Sequence, residues 1–288
     1  MSLVSFPGLK TKTPSVQTLG VLLFGLSVAC LFDDAWADCM PSGTGELAVV
    51  ERVYDGDTIK LKDGRHVRIL GVNAPEVDHG KEPSGQALGE ESRVATEAFL
   101  KASKQVRLFY DIQRVDRYER TLAHVYDLQG NSLSANLLRR GLGFHVAIPP
   151  NLSLNECLHG QEAGARKKGL GVWGNRAWRA VPAANLTLKD TGFNRISGRI
   201  VSVHQAQSIW LELDGPLVIK IAPSDIKNFP STSWQSWKGK QVEVRGWVTE
   251  RSAGEESKKK RKSSAAKSYK SLIIQPRIAA SLEVLMPW

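Results

Sequence analysis

The stretch Val53–Glu76, VYDGDTIKLKDGRHVRILGVNAPE, decides how the chain reads. An apolar run at residues 47–50 leads into it. Asp55-Gly56-Asp57-Thr58 forms a tight acidic turn, because aspartate and glycine are good turn formers. Residues 58–62 alternate apolar and polar side chains, the pattern of a half-buried strand. Asp63-Gly64 is a hairpin signal between two such runs. The return strand covers residues 65–72 and stops at Asn73-Ala74-Pro75-Glu76, where proline ends the ladder. One hairpin thus gathers Asp55, Asp57, Asn73 and Glu76, with Arg68 close by. Oxygen donors of this kind suit a hard cation such as Ca²⁺. A base and a guanidinium beside a cation suit a phosphodiester.

DGDT alone reads as an ordinary polar turn, and Arg68 alone as a solvated strand residue. Joined to R-x4-N-A-P-E they form a constellation, and two further blocks follow in order. The first is Asp116-Arg117-Tyr118-Glu119-Arg120-Thr121-Leu122-Ala123-His124-Val125-Tyr126. The second is Asn136-Leu137-Leu138-Arg139-Arg140-Gly141-Leu142. Together the three resemble the staphylococcal nuclease (thermonuclease) family, whose patterns are D-x-Y-G-R-x-L-A-x-V-Y and N-x-x-L-V-x-x-G-L in the last two. The resemblance runs from Leu47 to about Trp173.

The resemblance implies an OB-type barrel, Ca²⁺ as cofactor, and hydrolysis of DNA and RNA phosphodiesters to 3′-phosphate products. It places metal ligands at Asp57, Asn73 and Ala74, the last through its backbone carbonyl. Glu76 matches the general base acting on water. Arg68 and Arg120 match the pair that grips the scissile phosphate in forked geometry. Arg117 and Tyr118 are candidate substrate contacts. Three departures stand out. Asn73 occupies a position where the family has aspartate, Glu119 one where it has glycine, and Ala147 and Pro149 fall near its nucleotide-stacking tyrosines. Base stacking is then weaker, or moved to tryptophans of the second domain. Weak base selection implies a preference for single-stranded substrate. His66, His79, His124, His145 and His159 have no compact metal spacing and read as surface or packed residues.

The 288 residues and 42% apolar content allow two packed domains after a leader. Residues 1–37 read as a signal peptide: Lys10 and Lys12, an apolar run at 19–32, and an Ala35-Trp36-Ala37 cleavage site. An uncleaved anchor is the other reading, though the run is short for a span. Export to the periplasm or medium follows, without stable membrane insertion after cleavage. Cys39 and Cys157 then remain as an even pair in an exported chain, which suggests a disulfide; two unrelated thiols are the alternative.

The expected layout is mainly β with helices (α+β). A nuclease-type OB barrel at 38–180 is followed by a linker at 181–194 and a second, smaller OB-like barrel at 195–288. That second part has strand patterns at 195–203, 208–213, 217–221, 241–249 and 271–275. Its basic loop, 251–270, holds Lys258, Lys259, Lys260, Arg261 and Lys262, candidate substrate contacts in a segment too polar to bury a core. Residues 38–185 carry a net +2 and residues 186–288 a net +8. A field so placed favours a polyanionic partner. Three functions stay open on the sequence: a Ca²⁺-dependent nuclease, a non-catalytic nucleic-acid-binding protein with a degenerate metal site, or an envelope-associated protein-interaction module.

Overall fold

The acidic turn sits at one end of a closed five-stranded barrel in the computed structural model, which describes residues 2, 39–78, 80, 85–100, 104–230, 233–251 and 270–285. The leader at 1–37, apart from Ser2, and Lys258–Lys262 therefore lie outside the described residues. Strand β1 (Glu46–Asp55) pairs with β2 (Thr58–Leu61), which pairs with β3 (His66–Ile69). The Asp63-Gly64 turn joins β2 to β3, and Gly64 takes φ +94°, a conformation that glycine adopts without a Cβ penalty. The barrel order is β1-β2-β3-β6-β5, with β5 at Gln105–Phe109 and β6 at Thr121–Tyr126. Pairing of β3 with β6 is parallel. Alternation puts Ile59, Leu61, Val67 and Ile69 inside and leaves Thr58, Lys60, His66 and Arg68 outside.

The return strand is shorter than its sequence pattern. It ends at Ile69, because the chain turns at Gly71 (φ +86°) and starts a separate strand, β4 (Val72–Asn73). This strand pairs with β7 (Phe144–His145) outside the barrel. Helix α1 (Gly89–Leu100) lies against β1, and α2 (Leu133–Arg139) is capped by Ser132, whose Oγ accepts from Ala135 N. Helix α3 covers Asn155–Lys167, four residues shorter at its start than the apolar spacing suggested. There Asn151 instead exchanges two hydrogen bonds with the Gln113 backbone, pinning the preceding loop. Cys39 and Cys157 are joined by a disulfide.

Strands β9 (Gly192–Gln205), β10 (Ile209–Leu213), β11 (Leu217–Ile221), β13 (Leu272–Ile274) and β12 (Gln241–Glu250) form a second ring, closed by β12 on β9. Strand order and the parallel β11–β13 pair repeat those of the first barrel. Both follow the Greek-key plan of an OB-type barrel. Two short strands join this sheet: β8 (Val181–Pro182) and β14 (Leu282–Val284). The stretch expected as a linker is therefore structured. Ala183 and Leu186 are buried in the second core with Val181 against them. Trp234 is also core, so it offers no surface for base stacking, and Trp237 is half-buried against that core.

The barrels meet within one compact unit, Trp36–Trp288. Phe144, Val172 and Trp178 of the first part bury a small cluster with Phe193 of β9. Behind it, Arg245 of β12 makes a two-pronged ion pair with Glu162 of α3, at 2.6 and 2.8 Å, both side chains almost wholly buried. Glu162 also accepts from the His145 backbone N–H at 2.6 Å. The Trp173 ring lies 4.6–5.4 Å from the guanidinium carbons of Arg195, Arg166 and Arg245.

Candidate active site

Asp57 is positioned by the shape of its turn. Its N–H donates to Asp55 Oδ1 at 3.1 Å, and β1 is irregular between Val53 and Asp55. Such bulges re-aim side chains near sites. Gly56 lies so close to α1 that a Cβ there would fall 1.9 Å from Ser92 Oγ. Thr96 Oγ1 donates to Gly56 O at 2.8 Å. The helix thus braces the turn, and Asp57 points inward at 2% exposure.

The Asp57 carboxylate holds three donors. Ala74 N–H donates to Oδ2 at 2.5 Å, Thr58 Oγ1 donates to Oδ1 at 3.1 Å, and Arg68 Nη1 stands 2.9 Å from Oδ2. Burial drives this carboxyl well above the usual range; the Arg68 charge and the Ala74 N–H oppose it, and the Asp55 and Glu76 charges reinforce it. Arg68 spans the whole group. Its Nη1 also donates to Val72 O (2.9 Å) and Ile69 O (3.1 Å), and its Nη2 to Asn73 Oδ1 (3.0 Å). Asn73 is buried, with its carbonyl turned to Arg68.

Glu76 stands at the rim, exposed, on a segment clamped to the start of α1. Its N–H donates to Gln86 Oε1 and its C=O accepts from Gln86 N–H, at 3.0 and 2.8 Å. Gln86 carries no catalytic signature in the sequence, and only the fold reveals its role. Arg120 comes from the turn before β6. Asp116 fixes it through Nε and Nη2, both at 2.8 Å, and also accepts from its backbone N–H. Burial pushes Asp116 up, but these bonds together outweigh that and hold it below the usual carboxylate range. The Asp-x3-Arg spacing is legible in the sequence, and the fold shows that Asp116 serves to fix Arg120. Tyr118 is 63% exposed, with Arg117 4.7 Å and Arg120 5.5 Å from its ring centroid. A cavity of about 660 Å³ is lined by Gly64, Arg65, His66, Tyr118, Glu119 and Arg120.

Asp57, Arg68, Asn73 and Ala74 are thus one cluster with Glu76 next along the chain from it, and Arg117, Tyr118 and Arg120 lie on the turn that leads into β6, the strand paired with β3. The family model described as staphylococcal nuclease homologue matches residues 66–175. The thermonuclease of Staphylococcus intermedius is 33% identical over 165 residues, covering 54% of this chain and 96% of that protein. The chain belongs to the staphylococcal nuclease family. The thermonuclease of Staphylococcus hyicus is 36% identical over 129 residues (44% of this chain, 75% of that protein). Endonuclease YncB of Bacillus subtilis (strain 168) is 32% identical over 130 residues (43% and 60%).

The staphylococcal nuclease family implies Ca²⁺. The donors fit a hard cation in kind: a buried carboxylate whose charge is penalised by burial, and an amide oxygen beside it. They fit it sparingly in charge. Among the described residues no three His, Cys, Asp or Glu side chains gather where a metal could sit, and Arg68 already bonds to Asp57 Oδ2 and to Asn73 Oδ1.

Proposed function

We propose that this protein is a Ca²⁺-dependent nuclease, exported from the cell, that hydrolyses phosphodiester bonds in DNA and RNA with a preference for single strands. The observation that carries the reading is the Asp57–Arg68–Asn73 cluster with Arg120 two strand positions away, in a barrel of the staphylococcal nuclease family.

Asp57, with the Asn73 amide oxygen and the Ala74 carbonyl, would hold Ca²⁺. A bound Ca²⁺ supplies Lewis-acid polarisation of a phosphoryl oxygen. Glu76 takes a proton from the attacking water at the rim, where it is exposed to solvent. The water oxygen bonds to phosphorus, the bond from phosphorus to one ester oxygen breaks, and that oxygen takes a proton from solvent, to which the exposed Glu76 returns the one it removed. Arg120, held rigid by Asp116, and Arg68 offset the negative charge that grows on the phosphoryl oxygens. Arg117 and Tyr118 line the approach, and Lys258–Lys262 add long-range attraction. Export draws support from the leader pattern and from the Cys39–Cys157 disulfide, since such bonds persist in oxidising compartments.

A second reading, non-catalytic nucleic-acid binding, is favoured by Arg68. Its guanidinium bonds to both Asp57 and Asn73, an internal cation in a cation site. Digestion of single-stranded DNA by the mature protein, with Ca²⁺ or chelator, separates the two. Ca²⁺-dependent product, lost by several orders of magnitude in Glu76→Gln with folding intact, supports the nuclease. Tight binding without product supports the second reading.

A further inference from the structure

The barrel face that displays Arg68 also displays an aromatic pair that the nuclease reading leaves unused. On β3, His66 precedes Arg68 by two residues and so shares its outward face, about 7 Å away along the strand. His66 is exposed and stacks on Tyr54 of β1, with ring centroids 5.4 Å apart and planes at 17°. Arg52 lies 5.1 Å from the Tyr54 centroid on its own strand. Parallel pairing of Val67 with Thr121 sets His66 at the level of Arg120. Both line the cavity of about 660 Å³, a size typical of small-ligand sites.

Of the two guanidinium groups in this cavity, Arg65 is already paired, so the wall offers one phosphate position and leaves the rest to an uncharged planar group. Arg65 is committed to Asp63 (2.6 Å), Glu46 (2.5 Å) and the Tyr110 hydroxyl (2.9 Å). Glu119 adds a negative charge at the wall. Arg120 is left to serve a phosphate at the edge. The positions near which the family has its stacking tyrosines are held by Ala147 and Pro149, neither of which has an aromatic face.

We propose that this cavity is a nucleotide subsite, in which the base adjoining the phosphate at Arg120 stacks on His66, with Tyr54 supporting the imidazole from behind. The proposal rests on the nuclease reading for the phosphate position. Stacking on an aromatic platform is tolerant of base identity, which fits single strands with exposed base faces. A paired duplex presents only base edges in its grooves and cannot enter.

The test is fluorescence anisotropy of labelled six-nucleotide single-stranded DNA in chelator, where no turnover occurs. One probe is oligothymidylate, and the other is the same length of abasic phosphodiester. His66→Ala should weaken oligothymidylate binding about five- to a hundredfold, the range for loss of one base stack. It should leave abasic binding unchanged. His66→Phe should restore the thymidylate affinity, and Tyr54→Leu should weaken it in the same direction. Equal loss on both probes would assign His66 to the backbone and overturn the subsite, as would no loss on either. Wild-type digestion in Ca²⁺ is scored separately. Absence of product with the His66 pattern intact would overturn the nuclease reading and leave the subsite standing.

Discussion

Asp57 and Asn73 carry the strongest tension between sequence and family at the scale of single residues. One buried carboxylate faces one buried amide, and Arg68 bonds to both. Ca²⁺ affinity in oxygen sites rises with ligand charge. Asn73→Asp should therefore tighten Ca²⁺ binding by about tenfold or more, and removal of Asp57 as well should abolish the gain. Calorimetric titration of the three proteins reads this out directly. Equal affinity for wild type and Asn73→Asp would mean that residue 73 does not face the ion. The sequence made the residue types of this cluster plain. It did not reveal Arg68 as the group that satisfies Asn73, because that bond depends on the turn at Gly71 that separates β3 from β4.

Histidines set a second prediction at this scale. Burial lowers His124 to about 4 and His145 to about 3, the latter helped by the Arg245 charge and then His159. Both are neutral when folded and titrate near 6.5 when unfolded. As pH falls below about 6.5, the unfolded chain takes up protons that the folded chain refuses. Their stabilising contribution is thus full above 6.5 and is lost on acidification toward 4. The two together should add a loss of about 2–2.5 kcal/mol per pH unit between about 6 and 4.5. Urea unfolding at a series of pH values checks this; a flat profile across that window would contradict their burial. The histidines had read as surface or packed. His66 is the exposed one at the cavity, while His124 and His145 are packed.

Most elements were legible because burial imposes a period. Strands β2, β10, β11 and β12 alternate or run apolar, and their observed ranges match the pattern closely. β8 and β14 were missed because they have two and three residues and no period to read. Arg245 was missed for another reason. It sits at an outward position of β12, where arginine reads as solvated, and its partner Glu162 is 83 residues away. Removal of one partner from a buried pair leaves the other charge unpaired, at about 3–5 kcal/mol. Arg245→Met should cost that much. The double variant Arg245→Met/Glu162→Gln should recover part of it, by thermal unfolding. Since Glu162 also holds the His145 backbone, and β7 pairs with β4, loss of the pair should loosen the strand that carries Asn73.

The whole molecule is divided by charge more than by shape. Two barrels of one strand order carry +2 and +8. Salt should weaken substrate binding steeply if phosphate contacts come mainly from the second. The family blocks fall in the first barrel, so the sequence offered candidate residues there and no sign of the inter-barrel contacts. A single disulfide closes a sequence separation of 118 residues. In the chain-entropy model this stabilises by about 5 kcal/mol. Cys39→Ser/Cys157→Ser should lower stability by up to that amount, and reduction should do the same; an unchanged denaturation midpoint would contradict it.

Trp173, ringed by three arginines, gives the protein an optical asymmetry. Residues 39–172 contain no tryptophan, whereas Trp173, Trp178, Trp210, Trp234, Trp237, Trp247 and Trp288 all follow, and Trp36 falls in the leader pattern. Intrinsic emission therefore reports on the second barrel and the seam between the two, and the barrel with the acidic turn is dark at that wavelength. Trp173 and Trp178 both pack edge-on against Phe144, whose strand partner is Asn73. The seam fluorophores thus sit one residue pair from the candidate cation site. A tryptophan signal on adding Ca²⁺ would be heard through that pair, without any label attached to the protein.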